Sequence, residues 1–189
     1  MVPNGMELNG MELQGIELKG KYMEKGYTQI YTGNGKGKTT AALGLLTRAV
    51  GHNFKIFLCQ FLKGRDYGEL HTLKKFETVT HERYGRGVFI KNKEFVTDED
   101  KKLMREGYES LKNALLRGKY DIVIADEILG TLRYDLISVD EIKFLIKNKP
   151  ETTELILTGR NAPDELIEMV DLVTEMREVK HYFQKGVMA

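Results

Sequence analysis

Apolar positions along this chain fall into two rhythms. Short runs that are almost continuously apolar or β-branched predict strands over 27–32, 55–61, 79–83, 120–127, 154–157 and 171–174. Continuity, in place of alternation, marks strands covered on both faces, as in a parallel sheet. Between them the spacing changes to that of amphipathic helices. A helix is predicted over 38–50, with Gly51 stopping it at the C′ position, and a short one over 69–76. Thr97 opens the longest helix, with Asp100 as its capping-box partner, and Gly118 ends it. Its inward stripe is Leu103, Met104, Tyr108, Leu111, Leu115 and Leu116. Ser138 and Glu141 form a second capping box, on a helix that stops before Pro150. Pro163 suits the first turn of a further short helix. Strands alternating with helices through right-handed crossovers predict a three-layer α/β fold. Its sheet is mainly parallel, of five to six strands, with helices on both faces.

One stretch breaks the apolar rhythm where a ligand would sit. Between the first strand and the first helix runs Thr32-Gly33-Asn34-Gly35-Lys36-Gly37-Lys38-Thr39-Thr40. Strand, glycine-rich turn, Lys-Thr and helix is the context of a phosphate-binding P-loop, and it makes the fold class P-loop NTPase-like. Glycines let successive N–H groups converge on an anion, and the helix N-terminus adds partial positive charge. Lys38 would carry its ammonium to the outer phosphates, and the Thr39 hydroxyl would ligate Mg²⁺. The usual pattern places glycine at the first loop position, where this chain has Thr32.

A second polar interruption follows the strand predicted over 120–127, which ends in Asp126-Glu127. Ligands of such sheets bind at strand carboxyl ends, so these acids are expected beside the P-loop. Asp126 is the candidate for holding Mg²⁺ directly or through water, and Glu127 either joins the metal shell or positions a reactant. Arg160, at the end of another predicted core strand, could fork onto phosphate oxygens or pair with a carboxylate. Arg48, near the end of the first helix, also suits the helix dipole.

Composition changes this picture little. The chain has 189 residues, the length of one α/β domain, and a formal net charge of +1. Balanced charge offers no field for nucleic acid or a membrane surface. No apolar run approaches a membrane span, and the N-terminus has no apolar signal core. Cys59 is the lone cysteine, which precludes an intramolecular disulfide and suits a reducing cytoplasm. It lies inside an apolar run, as a buried small hydrophobe does. Residues 1–26 stand apart: Asn-Gly-Met-Glu-Leu occurs twice, then Gln-Gly-Ile-Glu-Leu, with glycine at 5, 10, 15 and 20. A period of five fits neither helix nor strand, so 1–26 is expected to be a flexible arm and 27–189 the nucleotide-binding domain.

The residues 31–42, Tyr-Thr-Gly-Asn-Gly-Lys-Gly-Lys-Thr-Thr-Ala-Ala, resemble the P-loop of the bacterial and archaeal corrinoid adenosyltransferases, which also carry threonine at the first loop position. The resemblance continues through Arg48-Ala49, Gly51-His52, Gln60-Phe61-Leu62-Lys63-Gly64, Asp126-Glu127 and Leu157-Thr158-Gly159-Arg160-Asn161-Ala162-Pro163. Asp171-Leu172-Val173-Thr174-Glu175-Met176 and Val179-Lys180-His181 complete it. It implies transfer of the 5′-deoxyadenosyl group of ATP to the Co(I) of a reduced corrinoid, with release of triphosphate. It also implies Mg²⁺ (or Mn²⁺), a flavoprotein reductant, a homodimer, and Arg48 and His181 near the nucleotide. Where such proteins usually carry tryptophan after the third strand, this chain has none; Tyr84 and Phe89 are the aromatic candidates. Two other classes fit the P-loop alone: a kinase or ATPase cleaving at the γ-phosphate, with Glu127 as base, and a non-catalytic nucleotide switch.

Overall fold

The computed structural model describes residues 23–186, so the repeat within the expected arm, residues 1–22, lies outside the described residues, as do 187–189. Six strands form one sheet: β1 (Thr28–Thr32), β2 (Ile56–Phe61), β3 (Val79–Tyr84), β4 (Ile122–Asp126), β5 (Glu154–Thr158) and β6 (Leu172–Glu175). Their order is β3-β2-β4-β5-β1-β6, and every pairing is parallel. The helices are α1 (Lys38–Val50), α2 (Gly68–Leu73), α3 (Asp98–Leu116), α4 (Ile128–Thr131), α5 (Val139–Asn148) and α6 (Asp164–Ile167).

The period-2 alternation of strand side chains divides the core into two layers. On one face, Ile56, Leu58, Ile122, Ile124 and Ile156 pack beneath Ala42, Leu46 and Ala49 of α1. On the other, Phe57, Cys59, Val123, Ala125, Leu155 and Leu157 pack against α3 and α5 through Met104, Tyr108, Leu111, Leu115, Ile142 and Leu145. Burial raises the Cys59 thiol well above its usual pKa, which leaves it an inert core residue. Both predicted capping boxes are present, Thr97 with Asp100 and Ser138 with Glu141.

Several local expectations are corrected. Gly51 is right-handed helical at φ −59°, and the chain turns instead through left-handed Asn53 at φ 58°. Pro163 stands one position earlier than expected, in extended conformation at φ −64° and ψ 143°, capping α6 from outside it. Leu116 is exposed, because it lies about 100° round the helix from Leu115, the residue of that turn that is buried in the core. Helix α4 and the 3-10 turns at Leu132–Tyr134 and Tyr182–Lys185 have no counterpart among the predicted elements, being too short to carry a period. Gly26, assigned above to the arm, packs on the domain: its N–H donates to Glu151 O at 2.8 Å and its carbonyl accepts from Lys149 Nζ at 2.7 Å.

Candidate active site

The carboxyl ends of β1, β2, β4 and β5 share one edge of the sheet, and Lys38, Thr39, Asp126 and Glu127 gather there. Thr32 closes β1 as a paired strand residue, opposite Glu175, and its hydroxyl accepts from Ala162 N at 3.2 Å. A β-branched residue suits that extended position; the turn begins one residue later, at Gly33 with φ 97°. A Cβ on Gly33 would come within 2.5 Å of Met176 O, and one on Gly35 within 2.7 Å. The loop therefore lies directly on the backbone that follows β6, and Gly35 N donates to Met176 O at 2.7 Å. Helix α1 opens at Gly37 with no side-chain cap, unlike α3 and α5. Its first-turn N–H groups face the loop, as an anion requires.

Lys38 is buried, and its Nζ donates to Gly33 O at 2.7 Å and to Gly35 O at 2.8 Å, folding back into the loop it would use to hold phosphate. Burial lowers its pKa; Glu127 and Asp126 oppose the shift and Arg160 adds to it. Asn34, Lys36 and Thr40 are exposed, and Lys36 donates to the Tyr182 hydroxyl.

Asp126 is the hub. It is 0% exposed, yet every polar neighbour is turned toward it. Oδ1 accepts from Thr158 Oγ1 at 2.7 Å and Thr39 Oγ1 at 3.0 Å; Oδ2 accepts from Lys63 Nζ at 2.6 Å and Gln60 Nε2 at 3.0 Å. Burial alone would raise this carboxyl, but the Lys63 charge and the hydrogen bonds from Lys63, Thr158 and Gln60 outweigh it and hold the pKa below the usual range. Glu127, next in sequence, behaves oppositely: burial and then Asp126 push its pKa up. Two adjacent acids are thus driven apart, one held ionised and one biased toward its proton. Glu127 adopts left-handed backbone at φ 62°, a conformation costing ~1–3 kcal/mol and found at functional sites. Its N–H donates to Thr158 Oγ1 at 2.8 Å, and Gly130 makes room for its carboxylate, since a Cβ there would lie 2.5 Å from Glu127 Oε1.

Among the residues expected from sequence, the fold therefore brings together Lys38, Thr39, Asp126, Glu127 and the loop glycines. Arg160 is exposed, and its charge reaches both Lys38 and Glu127. Arg48 is not drawn in: it sits in the last turn of α1, about 15 Å along the axis from Lys38. It lines a groove with Tyr31, Ala41, Gly44 and Leu45. His181 packs on Tyr182 with ring centroids 5.0 Å apart and the rings tilted by 51°, and Tyr182 in turn accepts from Lys36. Sequence reasoning passed over Gln60, Lys63 and Thr158 as site residues. Part of their signal was available: Gln60 is the polar residue inside the otherwise apolar β2, and Thr158 ends β5 two residues before Arg160. The oxygens of Thr39 and Asp126 form a hard donor pair already facing a cation, the ammonium of Lys63, which is the donor chemistry Mg²⁺ takes alongside substrate phosphates. Among the described residues no three His, Cys, Asp or Glu side chains group to hold a metal unaided.

Residues 24–189 match the family described as ATP:corrinoid adenosyltransferase BtuR/CobO/CobP. This chain is 37% identical over 168 residues to a corrinoid adenosyltransferase of Sinorhizobium sp, covering 88% of this chain and 78% of that one. It is 35% identical to the corrinoid adenosyltransferase of Escherichia coli K12, over 88% of this chain and 84% of the relative. The corrinoid adenosyltransferase CobA of Salmonella typhimurium is 33% identical with the same coverage. The chain belongs to the ATP:corrinoid adenosyltransferase family. Of the two aromatic residues singled out above, this corrinoid adenosyltransferase family member partly buries one. Tyr84 packs on Phe61 at 6.5 Å between ring centroids and donates to Glu82 Oε2 at 2.7 Å. Phe89 is 74% exposed, beside exposed Val88, on the loop after β3.

Proposed function

We propose that this protein transfers the 5′-deoxyadenosyl group of ATP to the Co(I) centre of a reduced corrinoid and releases triphosphate. One observation carries the proposal: Lys38, Thr39 and buried Asp126 stand together at the sheet's carboxyl edge, in a chain that matches the corrinoid adenosyltransferase family across residues 24–189. In the reaction Co(I) supplies the electron pair that forms the Co–C5′ bond, and the C5′–O bond breaks with its pair leaving on triphosphate. No proton moves at C5′, so no general base is needed there. The protein's tasks are positioning and stabilisation of charge on the departing triphosphate.

The residues divide those tasks. Phosphate oxygens replace the Gly33 and Gly35 carbonyls as acceptors for Lys38, and the loop amides other than that of Gly35, which is held by Met176 O, surround them with the open N-terminus of α1. Arg160, whose charge already reaches Lys38, adds positive charge from the end of β5. Mg²⁺ (or Mn²⁺) is held by Thr39 and Asp126, with Glu127 at its margin, and when bound it neutralises phosphate charge. Arg48 and His181 contribute to the nucleotide from the groove beside α1 and from the tail. Val88 and Phe89 offer an apolar face to the corrinoid. Co(I) has to be delivered by a reductant, a flavoprotein on this reading. Residues 27–189 form the catalytic domain, carried as a homodimer in the cytoplasm, with 1–26 as an N-terminal arm tied to the domain at Gly26.

The test is anaerobic incubation of the protein with MgATP and chemically reduced cob(I)alamin. The expected product is light-sensitive adenosylcobalamin with stoichiometric triphosphate, absent in Lys38→Ala. Glu127, buried beside Asp126 at the same sheet edge, is the candidate base for attack at the γ-phosphate instead. ADP and phosphate with an unaltered corrinoid would overturn the transferase reading.

A further inference from the structure

Lys63 belongs to none of the phosphate-binding or metal-binding roles assigned above, yet it holds the best position in the cleft. Its Nζ lies 2.6 Å from Asp126 Oδ2 and 3.3 Å from Thr39 Oγ1, the two oxygens assigned to the divalent cation. The backbone that delivers it is tightly constrained. Leu62, between β2 and Lys63, is left-handed at φ 56°, a conformation unfavourable for a leucine and so maintained by its surroundings. A Cβ on Gly64 would come within 2.1 Å of Gly87 N, and one on Gly85 within 2.6 Å of Lys63 N, so two loops lie backbone on backbone here. The fold holds the Lys63 main chain still and leaves its flexible side chain to choose a partner. A second partner is in reach: Glu69 Oε1 is 3.9 Å from the ammonium, and the Tyr67 ring centroid is 5.7 Å away.

We infer that Lys63 is an internal counter-ion that competes with the divalent metal for Asp126 and Thr39. The metal is admitted only together with a triphosphate, when Lys63 moves toward Glu69 and the incoming phosphates. The physical reason is charge balance. An ammonium and a divalent cation bring three positive charges to Asp126 and its neighbour Glu127, which carry two negative charges at most, and the triphosphate supplies the negative charge that balances them. Lys63 is then a positioning residue that makes metal binding depend on nucleotide. The inference rests on the metal site of the proposed transferase, and its test needs neither corrinoid nor turnover.

The probe is Mn²⁺, titrated into the full-length protein without nucleotide and followed by the electron paramagnetic resonance of the free ion. Lys63→Met, which keeps the apolar stem and removes the charge, is expected to bind Mn²⁺ at least about tenfold more tightly than the wild type. Lys63→Met combined with Asp126→Asn is expected to lose that gain. Unchanged affinity in Lys63→Met, or a gain that survives Asp126→Asn, overturns the inference. A second measurement requires no variant to fold: thermal melting of the wild type with Mn²⁺ alone, tripolyphosphate alone, and both. The expected result is a rise in Tm with both and none with Mn²⁺ alone. An equal rise with Mn²⁺ alone overturns the inference. Either failure with adenosyl transfer intact removes only the role of Lys63, whereas absence of adenosyl transfer in the wild type removes the activity on which it rests.

Discussion

Thr158 ties the two acids of the site to the sheet, and replacing it by valine isolates that function. Its side chain is 0% exposed, donates to Asp126 Oδ1 at 2.7 Å and accepts from Glu127 N at 2.8 Å. Valine fills the same volume, so no cavity opens and the loss is polar. A hydrogen bond to an ionised partner contributes about 1.5–3 kcal/mol, and a buried N–H left without an acceptor costs about 1–3 kcal/mol. Asp126 keeps three other donors, Thr39, Gln60 and Lys63, which cushions the first loss. A destabilisation of about 3 kcal/mol is expected, and a chain of this size loses ~2–4 °C in Tm per kcal/mol, giving a fall of about 6–12 °C. The assay is circular dichroism melting of Thr158→Val beside Thr158→Ser. Serine keeps both hydrogen bonds and loses one methyl, worth about 1 kcal/mol. An unchanged Tm for Thr158→Val, or a Ser variant that falls as far as the Val variant, would refute the reasoning that this hydroxyl holds the Asp126–Glu127 corner.

Lys38→Ala is expected to weaken MgATP binding and to lower kcat/KM for adenosyl transfer by about 10²-fold or more, measured by initial rates of adenosylcobalamin formation. Gly33→Ala forces a Cβ onto a residue at φ 97° whose space is filled by Met176 O, so nucleotide binding measured by calorimetry should be lost and Tm should fall. Asp100 supplies a pH test away from the site. Burial would raise its pKa, but hydrogen bonds from Arg86, at 2.7 and 2.6 Å, and from Thr97 outweigh it and hold the carboxyl below its usual range. The stability it contributes is therefore present above the unfolded value of ~3.9 and is lost as pH falls through the lower folded value. In urea titrations from neutral to acid pH, Asp100→Asn should lose less stability than the wild type over that window; parallel acid limbs would contradict it. Removal of divalent metal by a chelator should abolish transfer, with recovery on adding Mg²⁺ or Mn²⁺.

Much of the architecture was legible because its determinants are local. Nearly continuous apolar runs such as Ile56–Phe61, short and set between turn signals, mark strands covered on both faces, and the capping boxes at Thr97 and Ser138 mark helix starts by themselves. Where prediction failed, the deciding interaction was distant. Gly51 is a plausible C′ residue in isolation, but the chain has to reach β2 at a fixed angle and turns through Asn53 instead. Leu116 reads as part of the α3 stripe in the sequence, yet Leu115 takes the inward position of that turn and leaves its neighbour outside.

The site divides along the same line. The glycine spacing, Lys38-Thr39 and the strand ending in Asp126-Glu127 were determined by sequence, because a phosphate-binding turn requires those residue types at neighbouring positions. The company Asp126 keeps was decided only by the tertiary structure. Gln60, Lys63 and Thr158 lie 66, 63 and 32 residues from it along the chain. Parallel pairing of β2, β4 and β5 brings all three to one sheet edge, where a single buried carboxylate selects them by charge and hydrogen-bond geometry.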